Sequence, residues 1–156
     1  MPATTNAAAA RRLTLWAETA ADLMTSNPMS IRADATVGEA IEVLTDYGYS
    51  AAPVIDEAGH PLGVVSRADI LVHDREKATS AHGAPGPPAG AEDATRVRDI
   101  MTPAVFSVRP TAPAASVVEQ MVELKVHRLY VVEDDGTLVG VITALDLLRH
   151  LRPEEE

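Results

Sequence analysis

An internal repeat constrains this chain more than any other feature of its sequence. Residues 62–71 and 138–148 share the pattern Gly-Val-(Val/Ile)-(Ser/Thr)-x-x-Asp, with the two glycines 77 residues apart. The same offset aligns Asp-Leu-Met-Thr at 22–25 with Asp-Ile-Met-Thr at 99–102. Two sets of motifs in one order at one spacing indicate a duplicated structural unit. The fold is therefore predicted as two similar halves.

Each copy predicts a β-α-β-β-α unit. The predicted pairs are first strands at 29–32 and 105–109, helices at 37–47 and 114–124, second strands at 52–55 and 129–132, and glycine-ended turns at 56–59 and 133–136, each followed by a third strand and a helix. The helices have apolar residues at i, i+3, i+4 and i+7. A four-residue turn favours an antiparallel second and third strand. An intervening helix permits a parallel first pair.

Two sheets of this kind can cover each other's bare faces, which predicts an α/β (α+β) fold with a pseudo-two-fold axis and a cleft between the repeats. The first helix should begin with a capping box of Thr36 and Glu39. Pro113 stands at the position equivalent to Thr36, so the second helix must begin differently.

The sequence divides into five predicted segments. These are a disordered N-terminus (1–10), an N-terminal helix with the first repeat (11–75), a Pro/Gly-rich linker (76–95), the second repeat (96–152) and an acidic tail (153–156). The N-terminal helix, expected over 11–24, would place Trp16 on an apolar face. It is interpreted either as a cap on the module or as a partner-binding helix.

Composition excludes several classes of function. Acidic residues outnumber basic ones 23 to 13, and the net charge of −10 opposes nucleic-acid binding. The absence of cysteine excludes disulfides, thiolate metal sites and cysteine nucleophiles. No apolar run approaches the roughly 18 residues of a membrane span, and the N-terminus does not resemble a secretory signal. A cytoplasmic location is therefore expected.

The repeated motifs resemble a pair of cystathionine-β-synthase domains, known as a CBS pair or Bateman module. The resemblance spans 20–73 and 98–151. It rests on Asp-(Leu/Ile)-Met-Thr, the glycine-ended turn after Val-(Ile/Val), and Gly-Val-(Val/Ile)-(Ser/Thr)-x-x-Asp. Such pairs commonly bind adenosine nucleotides between the repeats. Some members bind S-adenosylmethionine or NAD instead, and some bind no known ligand.

The hydroxyl and acid of the third motif have two interpretations. Ser66 with Asp69, and Thr143 with Asp146, fit a helix cap that satisfies free backbone N–H groups. The same helix N-terminus also favours a phosphate. The resemblance implies that each Asp accepts hydrogen bonds from ribose hydroxyls, while the Ser or Thr lies near the phosphate.

The residues before the second strand differ between the copies. Val126, His127 and Arg128 match the family's apolar-His-Arg sequence, in which the apolar backbone contacts adenine and the basic pair reaches phosphate. Repeat one has Tyr49 with no basic pair, so its site relies on Arg67 and the neighbouring repeat, or is weaker or empty. Alternatively, His127 and Arg128 are only exposed residues at the start of a strand.

Other conserved-offset positions carry weaker expectations. Gly63 and Gly140 lie inside strands, which indicates close approach of a ligand or tight packing within the sheet. His73 and His150 are equivalent and are expected near helix C-termini, where an imidazolium suits the helix dipole better than a metal.

These observations predict a stand-alone CBS-pair regulatory protein, not an enzyme, that binds AMP, ADP or ATP and signals ligand or energy state to an unidentified partner. No cofactor or metal is required. A flat homodimer is expected, with no nucleic-acid or membrane partner. The alternatives are a ligand-free structural or interaction module and a sensor of NAD or S-adenosylmethionine.

Overall fold

The computed structural model describes residues 11–80 and 93–154. Its strands are β1 (Leu13–Leu15), β2 (Thr25–Ser26), β3 (Ile31–Arg32), β4 (Ala51–Ile55), β5 (Pro61–Ser66), β6 (Ser107–Val108), β7 (Arg128–Val132), β8 (Leu138–Thr143) and β9 (Leu151–Pro153). Its helices are α1 (Ala20–Leu23), α2 (Val37–Tyr47), α3 (Arg67–Ser80), α4 (Ala114–Leu124) and α5 (Ala144–Arg149), with a 3-10 turn at Val97–Asp99.

The chain forms two compact units, and each includes a segment that precedes the other repeat. The N-terminal unit contains Pro28–Phe106 and Asp135–Leu138. The C-terminal unit contains Met1–Asn27, Ser107–Asp134 and Val139–Glu156. The Asp-x-Met-Thr segment at 22–25 therefore belongs with the second repeat, and its copy at 99–102 belongs with the first. The predicted boundaries grouped each segment with the repeat that follows it.

The N-terminal unit has a three-stranded sheet in the order β3-β4-β5. β3 runs parallel to β4, and β4 runs antiparallel to β5, as the intervening helix and the short turn predict. Helix α2 begins at Thr36, whose Oγ1 accepts from the Glu39 amide at 3.1 Å, which confirms the capping box. The core combines one face of α2 with the inner side chains of the sheet. Its buried residues are Ile31, Val37, Ala40, Leu44, Ala52, Val54, Val65, Ile70 and Val97.

The C-terminal unit repeats this plan and adds one strand, giving the order β2-β8-β7-β6. β6 is parallel to β7, and β2 is antiparallel to β8. Pro113 cannot cap α4 with a side chain, and the Ala114 amide instead donates to the Glu18 carbonyl at 2.9 Å. The β-α-β-β-α prediction is thus confirmed in both units. β3 and β6 are each two residues long, shorter than predicted.

The helix predicted over residues 11–24 is wrong. Leu13–Leu15 forms β1, which pairs antiparallel with β9, and only Ala20–Leu23 is helical. Leu13 and Leu15 also fit the two-residue period of a strand, and the partner strand at the far end of the chain decides between the two periods. Trp16 follows β1 and is 64% exposed, so it does not cap the core.

The predicted linker begins later and ends earlier than the sequence suggests. Helix α3 continues to Ser80, and the part of the linker at 81–92 lies outside the described residues. At its other end, the carbonyls of Thr95 and Asp93 accept from the amides of Val37 and Gly38, at 2.7 and 3.0 Å. Residues 93–95 therefore satisfy free N–H groups in the first turn of α2.

Candidate functional site

The predicted acid of the second repeat is held in a capping box at the start of α5. The Thr143 amide and hydroxyl donate to Asp146 Oδ2 at 2.8 and 3.0 Å. In return, the Asp146 amide donates to Thr143 Oγ1 at 3.3 Å. The other oxygen, Oδ1, lies 3.7 Å from Arg149 Nη1. One carboxylate oxygen thus fixes the helix start, while the second is held only by a longer ion pair.

The basic pair of the second repeat lies beside this helix start. The Ala144 amide donates to the His127 carbonyl at 2.9 Å, which joins the beginning of β7 to the first turn of α5. The His127 side chain is exposed, and Val126 and Arg128 are half-buried. Burial raises the pKa of Tyr130, two residues further along β7, and Arg128 opposes that rise. The structure therefore brings Val126, His127, Arg128, Thr143 and Asp146 together within the C-terminal unit.

The N-terminal unit holds an equivalent capping box. The Ser66 amide donates to Asp69 Oδ2 at 2.9 Å, and the Asp69 amide donates to Ser66 Oγ at 3.1 Å. The Thr102 hydroxyl also donates to Asp69 Oδ1 at 3.3 Å. Sequence reasoning did not assign Thr102 to the site, although the repeated Asp-x-Met-Thr motif had marked this segment. The capping role is therefore real in both repeats, and a ligand role would be additional to it.

Arg67 has a structural role that the sequence did not indicate. Its Nε donates to the Tyr49 carbonyl at 2.8 Å and its Nη2 donates to the Leu44 carbonyl at 3.3 Å. These carbonyls lie at the C-terminal end of α2, where a cation also suits the helix dipole. The Tyr49 ring stacks on Tyr47, with ring centroids 5.8 Å apart. Two donors of Arg67 are thus already used within the protein.

The two strand glycines are explained by packing within each unit. A Cβ at Gly63 would overlap the Thr102 carbonyl oxygen and would lie 2.9 Å from Met101 Sδ. A Cβ at Gly140 would overlap Met24 Sδ. Each glycine therefore makes room for the Met of the Asp-x-Met-Thr segment that enters its unit from the other side of the repeat. Of the two interpretations that the sequence left open, these contacts support tight packing.

The two equivalent histidines have different surroundings. His150 caps α5, and its Nδ1–H donates to the Asp146 carbonyl at 2.8 Å, as expected for a residue at a helix C-terminus. His73 instead lies midway along α3, so the predicted interaction with a helix end is wrong. Its Nε2–H donates to Asp93 Oδ2 at 2.8 Å, and this carboxylate is buried.

Asp93 was missed because it follows a Pro/Gly-rich stretch that predicts no structure. Burial works to raise the pKa of Asp93, but hydrogen bonds from the Thr95 amide and hydroxyl and from His73 outweigh it and lower that pKa to about 2. Asp93 is therefore an ionised carboxylate inside the N-terminal unit.

Comparison with known proteins identifies the family. The CBS domain model matches this chain twice, over residues 20–76 and 97–153. Each match contains one β-α-β-β-α unit and the capping-box acid at the start of its last helix. The chain belongs to the CBS domain family, and its two repeats make it a CBS pair.

Two solved structures resemble the chain closely. The first, CBSX2 in complex with AMP, is 29% identical, with a TM-score of 0.69 over 85% of this chain and 95% of CBSX2. The second, the cytosolic domain of the Mg²⁺ channel MgtE in complex with ATP, is also 29% identical, with a TM-score of 0.65 over 85% of this chain and 48% of that domain.

Among curated sequences, the 5′-AMP-activated protein kinase subunit gamma-3 of Bos taurus is 31% identical over 112 residues, 72% of this chain. The chain spans about a fifth of the length of the first curated relatives it matches, 22% in this case. Across the described residues, no helix has the length and apolarity needed to cross a membrane.

Proposed function

We propose that this chain is a regulatory CBS pair that binds an adenosine nucleotide, AMP, ADP or ATP, and transmits its ligand state to a protein partner. The observation that carries the proposal is the hydrogen bond from Ala144 to His127, which holds the basic pair beside the Thr143–Asp146 capping box. In this arrangement Asp146 Oδ1 would accept from ribose hydroxyls. His127 and Arg128 would contact phosphate.

The similarity to CBSX2 with AMP and to MgtE with ATP supports an adenine nucleotide over other anions. A catalytic role is not proposed, since Asp69 and Asp146 are the same binding position in two repeats and not an acid–base pair. The activity is expected in the cytoplasm. NAD or S-adenosylmethionine stays the alternative ligand.

Nucleotide binding is expected to raise the melting temperature. A ligand that binds only the folded state at 100 times its Kd adds about 2.7 kcal/mol to the free energy of unfolding. For a chain of this size, each kcal/mol corresponds to roughly 2–4 °C. We therefore expect AMP, ADP or ATP at millimolar concentration to raise the melting temperature by about 5–10 °C in a thermal-shift assay.

The matched controls in this assay are ribose 5-phosphate and the corresponding guanine nucleotide, which share the phosphate but lack adenine. NAD and S-adenosylmethionine test the other adenosyl ligands. If none of the adenosyl compounds moves the transition, the nucleotide proposal fails and the ligand-free interaction module is favoured.

We also propose a homodimer, formed through apolar side chains that the repeat places at equivalent positions on α3 and α5. Leu71 and Leu148 are 77 residues apart and are 68% and 61% exposed. Fully exposed leucines at both copies of one position indicate a surface that is covered by a second molecule. A closed two-fold assembly is the commonest oligomer.

Light scattering should therefore give about twice the 16.5 kDa of one chain. Leu148→Glu should shift the protein to the monomer, because the substitution buries an unpaired charge in the contact. The control is Val122→Glu on α4, a residue that is 72% exposed and has no apolar equivalent in the first repeat. A wild-type monomer throughout the micromolar range would contradict the dimer.

A further inference from the structure

Three potential metal ligands converge in the N-terminal unit, outside the capping-box site. His73 and Asp74 project from α3, and Asp93 follows the 81–92 segment. Each offers one ligand atom, and these three atoms all lie within 4.8 Å of one another. In the C-terminal unit, the positions 77 residues away are occupied by His150, Leu151 and Trp16. The cluster is therefore a property of one repeat and not of the duplicated motif.

The cluster is enclosed, and one of its acceptors has no partner. The Asp93 side chain is 1% exposed and that of His73 is 15% exposed. Asp74 Oδ1 is shielded from solvent and receives no hydrogen bond from the described residues. A shielded acceptor of this kind costs free energy unless something else satisfies it. A cation between the three side chains would do so.

The charges already present show how a cation is accommodated. Lys77 Nζ lies 3.5 Å from Asp93 Oδ2, and the Lys77 side chain is 50% exposed. Its ammonium group can move into solvent on a flexible stem, so it can be displaced from Asp93. In the absence of another cation, Lys77 and His73 together offset the buried carboxylate.

We propose that His73, Asp74 and Asp93 bind a divalent transition-metal ion, with Zn²⁺ as the best fit, and that Lys77 is displaced when the metal binds. One imidazole nitrogen and two carboxylate oxygens are ligand types that Zn²⁺ accepts. Tetrahedral Zn²⁺ places such ligands about 3.3 Å apart. The present separations, from 2.8 Å between His73 Nε2 and Asp93 Oδ2 up to 4.8 Å, bracket that value. The fourth position is filled by water.

The competing explanation is an ion-pair cluster that only holds residues 93–95 against α2. In that case Asp93 has all the partners it needs, and Asp74 contributes nothing. The two explanations differ in what they require of Asp74 and of Lys77. A metal site needs Asp74 and is weakened by Lys77, whereas an ion-pair cluster needs Lys77 and not Asp74.

The test is calorimetric titration of the full chain with Zn²⁺, after chelator treatment and removal of the chelator. We expect one Zn²⁺ per chain. His73→Gln and Asp74→Asn should each weaken binding by at least about tenfold, the lower end of the loss seen when even an outer-shell partner of a metal is removed. Lys77→Met should tighten binding by up to about fivefold, the effect of removing a half-exposed ion pair.

His150→Gln is the matched control, because it removes the equivalent histidine of the second repeat and should leave Zn²⁺ binding unchanged. Asp93 is not substituted, since its hydrogen bonds also support the fold. The melting temperatures of the variants in chelator show that each remains folded.

Wild-type protein that binds no Zn²⁺ at millimolar concentration would overturn the proposal. So would Zn²⁺ that binds equally well to the Asp74→Asn variant, because the ion would then be held by exposed histidines only. This result does not depend on nucleotide binding, which is measured on the same variants in chelator.

Discussion

Replacing Asp146 with alanine is expected to abolish the tighter phase of adenine-nucleotide binding, while Asp69→Ala leaves that phase largely intact. Both carboxylates occupy the same capping-box position, but only Asp146 lies beside the basic pair His127 and Arg128. A hydrogen bond to a charged group typically contributes about 1.5–3 kcal/mol. This corresponds to roughly one to two decades of affinity in favour of the second repeat.

The hydrogen bonds of Arg67 strengthen this expected asymmetry. In the first repeat, Arg67 is the basic residue nearest to the capping box in sequence, and it already donates to the Tyr49 and Leu44 carbonyls. A phosphate would have to compete with those bonds. The first repeat therefore offers a ribose-binding carboxylate without an equivalent of the basic pair.

Calorimetric titration of the two variants provides its own matched control. Each substitution removes the acid of one capping box, so each should lower stability by a similar amount, about 0.5–2 kcal/mol. A difference in nucleotide affinity then cannot be attributed to the lost cap. If Asp69→Ala proves the more damaging to the tight phase, the basic pair acts on the ligand of the first repeat and our assignment is wrong.

The second large effect is expected at the strand glycines, where Gly63→Ala should destabilise the protein more than Gly140→Ala. The new Cβ at Gly63 meets backbone, since it overlaps the Thr102 carbonyl oxygen and lies 3.2 Å from Pro103 Cα. That carbonyl also accepts from the Val64 amide at 2.9 Å. Overpacking of this kind costs about 1–3 kcal/mol. We expect a drop of roughly 2–12 °C in melting temperature.

At Gly140 the same methyl group meets only the Met24 side chain, whose unbranched chain can adjust. A compensating substitution separates the two cases. Met24→Ala should restore much of the stability lost in Gly140→Ala, because it removes the atoms in contact. Met101→Ala should not rescue Gly63→Ala, because the Thr102 and Pro103 backbone remains. Equal losses and equal rescue at the two sites would contradict this explanation.

Much of the fold could be predicted because the information is local and occurs twice. Helices α2 and α4 show the apolar period of an amphipathic helix, and the second strands are short apolar runs ended by a glycine turn. The capping-box acids were found for the same reason. Both copies place a hydroxyl three residues before an acid at the start of a helix.

The features that were missed depend on contacts between distant residues. Leu13–Leu15 becomes a strand only because Leu151–Pro153 pairs with it. Asp93 lies near a Pro/Gly-rich stretch, and its partners His73 and Lys77 are recognised only in three dimensions. The role of Arg67 depends on where helix α2 ends. None of these contacts leaves a periodic pattern in the sequence.

The placement of the two Asp-x-Met-Thr segments has a consequence for how such a chain can arise. The polypeptide passes from one unit to the other at Asn27 and again at Phe106, so each unit needs a stretch that is encoded next to its twin. A single repeat cut from the gene at the linker would keep the wrong segment and would leave its strand glycine facing an unfilled space. The smallest inheritable form of this architecture is therefore the duplicated gene, and one half alone could evolve only as a self-associating pair.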